Sequence, residues 1–551
     1  MKKSLPIGED NFENIITNDC YYVDKTKAIE EILDSKVGVK LFPRPRRFGK
    51  TLLMSMLNNF FDIEKKEKNK NLFNDLYIST SKYKDIQNTY PVINLSFKNL
   101  KQNTYESVVN QFRIMMASVY VNKKYVLDVL DDSEKKKFLF IMNEEANEDD
   151  LKNSVLFLSN CLYKYYNKKV IILIDEYDVP IQEGYIDGFY KEVVNFIRSV
   201  LSSALKTNES LAYGILTGVL RVSKESIFSD LNNLDVYDIM SKRYDEYFGF
   251  TEEETKTLLE YYGLELNNEV KEMYDGYDFG DESIYNPWSI LKYSDTKVMD
   301  TYWVNTSGND LIKKLLLQTN SNNKKQIEKL VEGKFLQFEY NEKITYEDFN
   351  NYDDLNTILN LMFASGYLTV AERKINIFGN VEEYVKIPNL EVKKLITNIM
   401  AHLSIKDENS NNSYIINEFN IALVNNDKTK VEKILNNMFM SLSFMDSQEY
   451  FYHAYTLGIF KSFLDSRYFI VKSNREGGSG RFDVLIRKKD NSIGFIIEFK
   501  LADNEKEMEE KASIAINQMK DKQYYKELVL EGVEVIKEIA IVFYDKKVIV
   551  R

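Results

Sequence analysis

The stretch "RPRRFGKT", Arg44 to Thr51, ends on the residue types that hold a polyphosphate. Gly49 lets the backbone approach a phosphate closely, Lys50 can reach the β- and γ-phosphates, and the Thr51 hydroxyl can bind magnesium. The stretch departs from the usual loop at its head, where Arg44 stands in place of glycine. Arg44 and Pro45 can still shape the turn, because proline fixes φ. The guanidiniums of Arg46 and Arg47 suit a polyphosphate. The expected nucleotide set within the loop is Arg46, Arg47, Phe48, Gly49, Lys50, Thr51 and Leu52. Downstream, the apolar run "VIILIDEYD" (Val170 to Asp178) closes on Asp175 and Glu176. A carboxylate there can join Thr51 in a magnesium shell, and the next one can orient or activate an attacking water. The plain structural readings are a basic turn between a strand and a helix, and an acidic helix cap.

A second set lies in "GRFDVLIRKKDNSIGFIIEFK", Gly480 to Lys500. Side chains alternate along a strand, so Glu498 and Lys500 share one face and the apolar Ile497 and Phe499 the other. If the two strands pair as a hairpin, Asp483 comes beside Glu498. Two carboxylates and a backbone carbonyl make a magnesium site. A lysine next to it can position or deprotonate a water, or steady a pentavalent phosphorus. The bland alternative is a cross-strand ion pair.

The elements that position these residues are readable from their periodicity. "VGVKLF" precedes the basic loop, and "LLMSMLNNFFD" follows it with a helical apolar face. "YPVINLSF", "VIILIDEYD" and "LAYGILTG" read as further strands, and strands separated by helices predict a βαβ architecture. Thr251 and Glu254 form a capping box opening a helix. From there to about residue 430 the pattern is mostly helical, interrupted by the turn-rich Tyr274 to Trp288. A small α/β or α+β domain closes the chain.

At 551 residues the chain exceeds one domain, and its 44% hydrophobic content is ordinary for globular cores. Its formal charge of -12 argues mildly against a large phosphate interface, and the C-terminal segment is close to neutral. Cys20 and Cys161 are the only cysteines, which excludes a disulfide scaffold and a cysteine-built zinc site. With two histidines, His402 and His453, a metal must sit on carboxylates, which favours Mg2+, with Mn2+ as the alternative. The N-terminus lacks an apolar signal region, and no apolar run approaches the ~18 residues of a membrane span, so the expected location is cytoplasmic, with no membrane partner.

Taken together, "YYVDKT" (Tyr21 to Thr26), "RPRRFGKT", "LIDEYD", "TGVLRVSKESIFSDLNNL" (Thr217 to Leu234) and "YNPWSIL" (Tyr285 to Leu291) resemble the bacterial AAA-ATPase-like proteins with a C-terminal PD-(D/E)XK nuclease domain. The resemblance runs across nearly the whole chain, and the family's loop also lacks the first glycine. It implies an α/β protein with a P-loop NTPase domain over residues 1–290, an ASCE/AAA-like parallel sheet flanked by helices. A mostly helical region over 291–430 and a restriction-endonuclease-like α/β domain over 431–551 follow. It implies that Thr217 is a sensor-type polar residue and that Arg221 faces the phosphates, in its own subunit or a neighbour's. It adds Glu449 and Gln518 to the second site, and places Arg475, Glu476 and Arg481 where a phosphate backbone could pass. The implied catalytic set is Glu176, Asp483, Glu498, Lys500, Glu449 and Gln518, with Thr51, Asp175, Asp483 and Glu498 on metal. The implied partners are ATP and nucleic acid, DNA before RNA, with a homo-oligomer possible. Two other readings stay open: a nucleotide-gated nucleic-acid-binding protein with an inactive nuclease fold, and a non-enzymatic interaction module.

Overall fold

The computed structural model describes residues 2–35, 37–206, 208–220, 233–303, 310–342, 344, 346, 348, 353–375, 381–406, 412–440, 449–464, 468–477 and 480–551. The chain forms two compact units, one of Met1–Trp303 with Gln337–Pro388, the other of Val304–Leu336 with Asn389–Arg551.

The first unit is built on a sheet of β1 (Val39–Pro43), β2 (Val92–Ser96), β3 (Val170–Asp175), β4 (Leu211–Gly218) and β5 (Leu234–Val236). Their order is β2-β3-β4-β1-β5, and every pairing is parallel. All residues of β1 and β3 are buried, as strands covered by helices on both faces must be. The sheet thus sets β4 between the strand leading into the basic loop and the strand ending in the acidic pair. The helix Lys50–Phe61 buries Leu53, Met54, Met56, Leu57, Phe60 and Phe61. Each such aliphatic or aromatic side chain contributes about 1.5–3 kcal/mol.

The middle of the chain is largely helical, but it also holds short strands that a helical reading does not contain. β6 (Phe250–Thr251), β7 (Tyr277–Phe279) and β8 (Glu282–Tyr285) form one sheet in the order β6-β8-β7. β9 (Leu336–Phe338), β10 (Thr369–Ile375) and β11 (Val381–Lys386) form another, ordered β10-β11-β9. The capping box of Thr251 and Glu254 opens the helix Glu252–Tyr262. Glu254 also accepts from Lys25, and Asp24 accepts from Thr26 and from the Tyr77 amide. "YYVDKT" therefore acts as a brace inside this unit.

The second unit carries helices and a sheet of β12 (Phe469–Gly477), β13 (Gly480–Lys488), β14 (Ile493–Leu501), β15 (Val535–Tyr544) and β16 (Lys547–Val550), paired in chain order. Only β14 and β15 are parallel, and the helix Met508–Lys522 lies in the crossover between them. Ala512, Ala515 and Met519 of that helix pack on the sheet with Leu485, Ile496, Ala540 and Val542. Among the described residues no helix is long and apolar enough to cross a membrane.

Candidate functional site

The basic loop leaves the end of β1 and enters the helix Lys50–Phe61. Gly49 is that helix's N-cap, with φ 84°, a left-handed conformation that glycine adopts without steric cost. Arg47 also sits at positive φ, 67°. Lys50 Nζ donates to the carbonyls of Arg44 and Pro45, 2.9 Å each, and so closes the loop on itself. Burial lowers the Lys50 pKa, against the pull of Glu176 and Asp175.

Arg44 is fully buried. It donates to the carbonyls of Pro43 (2.9 Å), Tyr237 (2.6 Å) and Tyr244 (3.3 Å). Its guanidinium lies 4.6 Å from the ring centre of Phe248 and 5.4 Å from that of Phe279. Burial pushes it down to about 10. The residue in glycine's place is thus a strut from the loop to the 237–248 segment. Phe48 is buried too, 5.0 Å from Tyr277 and 5.2 Å from Phe279. Arg46 donates to Gln182 at 3.1 Å, Arg47 stacks 4.4 Å over Trp288, and Leu52 is half-buried on the first helical turn.

Asp175, the last residue of β3, receives the Thr51 hydroxyl on Oδ2 at 2.8 Å and the Thr217 hydroxyl on Oδ1. The Ile174–Leu216 pairing of β3 and β4 puts Asp175 and Thr217 side by side. The Glu176 amide donates to Thr217 Oγ1 at 3.4 Å, and Glu176 takes φ 54°, a strained value for a side chain of its size. Burial raises the Glu176 pKa; Lys50 opposes this, and Asp175 and Asp178 add to it. The rest of "DEYD" has a role that reading the acidic pair alone leaves out. Asp178 accepts from the amides of Val219 (2.8 Å) and Leu220 (3.0 Å), and Tyr177 donates to the Leu220 carbonyl at 2.5 Å. Both clamp the residues after Thr217. Arg221 lies outside the described residues.

In the second unit the β13–β14 ladder ends at Val484 and Ile497. The next residue on each strand is a carboxylate, Asp483 and Glu498. Here the strands part, and the Phe499 amide donates to Asp483 Oδ2 at 2.8 Å. β14 continues to pair with β15 through Leu501. Glu498 is buried and its Oε1 accepts from Lys500 at 3.2 Å and from Gln518 on the crossover helix. Gln518 also lies 3.3 Å from the hydroxyl of buried Tyr524, a neighbour that motif reading missed. Burial raises the Tyr524 pKa, and Glu498 and Asp483 raise it further. His453 Nε2 is 3.4 Å from the Asp483 carbonyl, with its ring 5.1 Å from Phe499. Glu449 begins the same helix as His453, but its side chain lies outside the described residues. So do the side chains of Arg475, Glu476 and Arg481, whose backbones belong to β12 and β13.

Both sites fit magnesium by the chemistry of their donors. Each offers hard oxygens, Thr51 with Asp175 and Asp483 with Glu498. Among the described residues no group of three or more His, Cys, Asp or Glu side chains could hold a metal. Two protein oxygens with the balance from phosphate and water is the usual arrangement for Mg2+, and a poor one for a caged Ca2+ or Zn2+.

A family model described as "Predicted AAA-ATPase" matches residues 6–228, and one described as "PD-(D/E)XK nuclease superfamily" matches residues 447–551. The chain is also 26% identical over 538 residues to a protein of Azotobacter chroococcum mcd 1 described as "Uncharacterized protein in vnfD 5'region", covering 95% of this chain and 93% of that one. No solved structure matches the chain. The chain thus carries an AAA-ATPase-like domain at its N-terminal end and a domain of the PD-(D/E)XK nuclease superfamily at its C-terminal end.

Proposed function

We propose that this protein binds and hydrolyses ATP, and that its nucleotide state governs a magnesium-dependent nuclease that cleaves phosphodiester bonds of nucleic acid, DNA before RNA. The observation that carries the reading is that, among the described residues, the fold brings together the groups that each chemistry would use. Lys50, Thr51, Asp175 and Glu176 surround the loop, and Asp483, Glu498 and Lys500 meet where β13 and β14 part.

At the first site Lys50 exchanges a loop carbonyl for phosphate oxygens. Glu176 accepts the proton of the attacking water, and Thr217 holds Asp175 in place meanwhile. At the second, Lys500 orients the attacking water or steadies the charge that builds on the phosphate, and Gln518 fixes the Glu498 carboxylate. Magnesium would be held by Thr51 and Asp175 at one site and by Asp483 and Glu498 at the other, and would neutralise phosphate charge at both.

The test is nicking of plasmid and single-stranded DNA by the purified protein with Mg2+ or Mn2+, with and without ATP. Asp483→Ala and Glu498→Ala run alongside. Cutting by the wild type that both variants lack, and that ATP changes, is the expected result. Tight DNA binding without cutting would replace this reading with a nucleotide-gated binding protein. Normal ATP affinity in Lys50→Ala would overturn the phosphate assignment.

A further inference from the structure

The chain has two tryptophans, Trp288 and Trp303, and both touch the basic loop. Trp303 is 5% exposed, and its indole N–H donates to the Arg46 carbonyl at 3.0 Å. Its ring is fixed by Tyr367, 5.5 Å away and tilted 42°, and by Tyr277, 6.1 Å away and edge-on at 82°. Tyr277 also packs on Phe48. Gly366 comes so close that a Cβ there would lie 2.9 Å from Pro45 Cβ and 3.6 Å from the Trp303 ring. The backs of residues 45, 46 and 48 are therefore held by Gly366, Trp303 and Tyr277, none of which belongs to the β1–β5 sheet.

A phosphate loop works by aiming backbone N–H groups at the anion. Its carbonyls must then turn away and find donors of their own. Lys50 supplies two successive ones, Arg44 and Pro45, and Trp303 supplies the next, Arg46. The described chain has no cis peptide bond. In a trans peptide the C=O and the following N–H point opposite ways. Fixing the Arg46 carbonyl on Trp303 thus turns the Arg47 N–H to the other side.

We propose that Trp303 is a positioning residue of the nucleotide site, its indole N–H setting the Arg46–Arg47 peptide so that the Arg47 N–H faces the phosphates. The proposal rests on the nucleotide reading above. Trp303 also ends the first of the two stretches that make up this unit, so this peptide plane is fastened to one of the points where the chain leaves it.

The test has two arms on the full chain. Calorimetry of wild type and Trp303→Phe with MgATP and with magnesium pyrophosphate should show affinity about three- to tenfold weaker in the variant, the effect of one hydrogen bond. In Trp288→Phe, Trp303 is the sole tryptophan, and its emission should change when magnesium pyrophosphate is added. If wild type binds neither ligand, the nucleotide reading falls and takes this proposal with it. If wild type binds and Trp303→Phe binds equally well, the proposal alone falls. Should Trp303→Phe fail to fold, the emission of Trp288→Phe at saturating pyrophosphate decides: a change supports the proposal, and an unchanged spectrum overturns it.

Discussion

Thr217 donates its hydroxyl to Oδ1 of Asp175 across two neighbouring strands, so the carboxylate is gripped from the side opposite Thr51. Thr217 is fully buried and Asp175 is 4% exposed. Thr217→Val keeps the shape of the side chain and removes the donor. The buried oxygen then loses its partner, which costs about 1–3 kcal/mol. Urea denaturation should show that loss, while Thr217→Ser should restore stability. A valine variant as stable as the wild type would mean the grip is not a stabilising contact.

If Glu176 is the base of the proposed hydrolysis, it should set a pH limit on the rate. Burial favours its neutral form, so in the fold it keeps its proton to a higher pH than an ordinary glutamate. As the base it must be ionised, so kcat/KM should rise with pH through a midpoint above that of an ordinary glutamate. Lys50 acts at the other end: burial disfavours its charged form, so it loses its proton at a lower pH than an ordinary lysine. Nucleotide capture should therefore fade as pH climbs, giving a bell-shaped profile for the free protein. Glu176→Gln should retain ATP binding and lose about 100-fold or more of the hydrolysis rate. An acid limb at or below the ordinary glutamate value would exclude Glu176 as the base.

Arg44 invites a substitution that motif logic would favour and the fold would not. Arg44→Gly restores the glycine of the usual loop, yet it deletes a buried guanidinium with three carbonyl acceptors and two aromatic faces. The buried carbonyls left behind and the vacated space should cost about 2–5 kcal/mol. Thermal melting should show a clear drop, and MgATP affinity should fall. A glycine variant that melts normally and binds ATP more tightly would show that Arg44 is only a tolerated replacement.

Arg44 also marks what was legible in the sequence. The four longer strands of the first sheet, Asp175 at the end of one, and Lys50 and Thr51 on the helix after another, were readable because the motifs are short and the strands are rich in apolar residues, whereas Thr217 entered only through the family resemblance. Asp483, Glu498 and Lys500 followed from strand alternation across one tight turn. The use of Arg44 was hidden, because two of its acceptors, Tyr237 and Tyr244, lie 193 and 200 residues away. The same holds for Trp303 and the Arg46 carbonyl, 257 residues apart. The small sheets of the middle region escaped because strands such as Tyr277–Phe279 are too short to show a period, and β10 and β11 carry charges on much of their length.

Gln518 provides the sharpest test of the second site, because its role passes through another residue. It sits on the crossover helix and donates to the same Glu498 oxygen that Lys500 approaches. Groups that orient a metal-binding carboxylate typically matter 10–100-fold for metal affinity or activity. Gln518→Ala should therefore lower DNA nicking by about 10–100-fold at limiting Mg2+, with part of the loss recovered as the metal is raised. Mn2+ binding measured by calorimetry should weaken in parallel, and a Gln518→Glu change should not restore it, since a second anion would repel Glu498. Asp483→Asn should behave differently: its side-chain oxygen can still accept the Phe499 amide, so the strand ends stay together while the metal-binding charge is gone. Nicking should then be lost with little change in melting temperature. If Gln518→Ala cuts like the wild type at every metal concentration, Glu498 is held by Lys500 and the sheet alone, and Gln518 is a helix residue that happens to lie nearby.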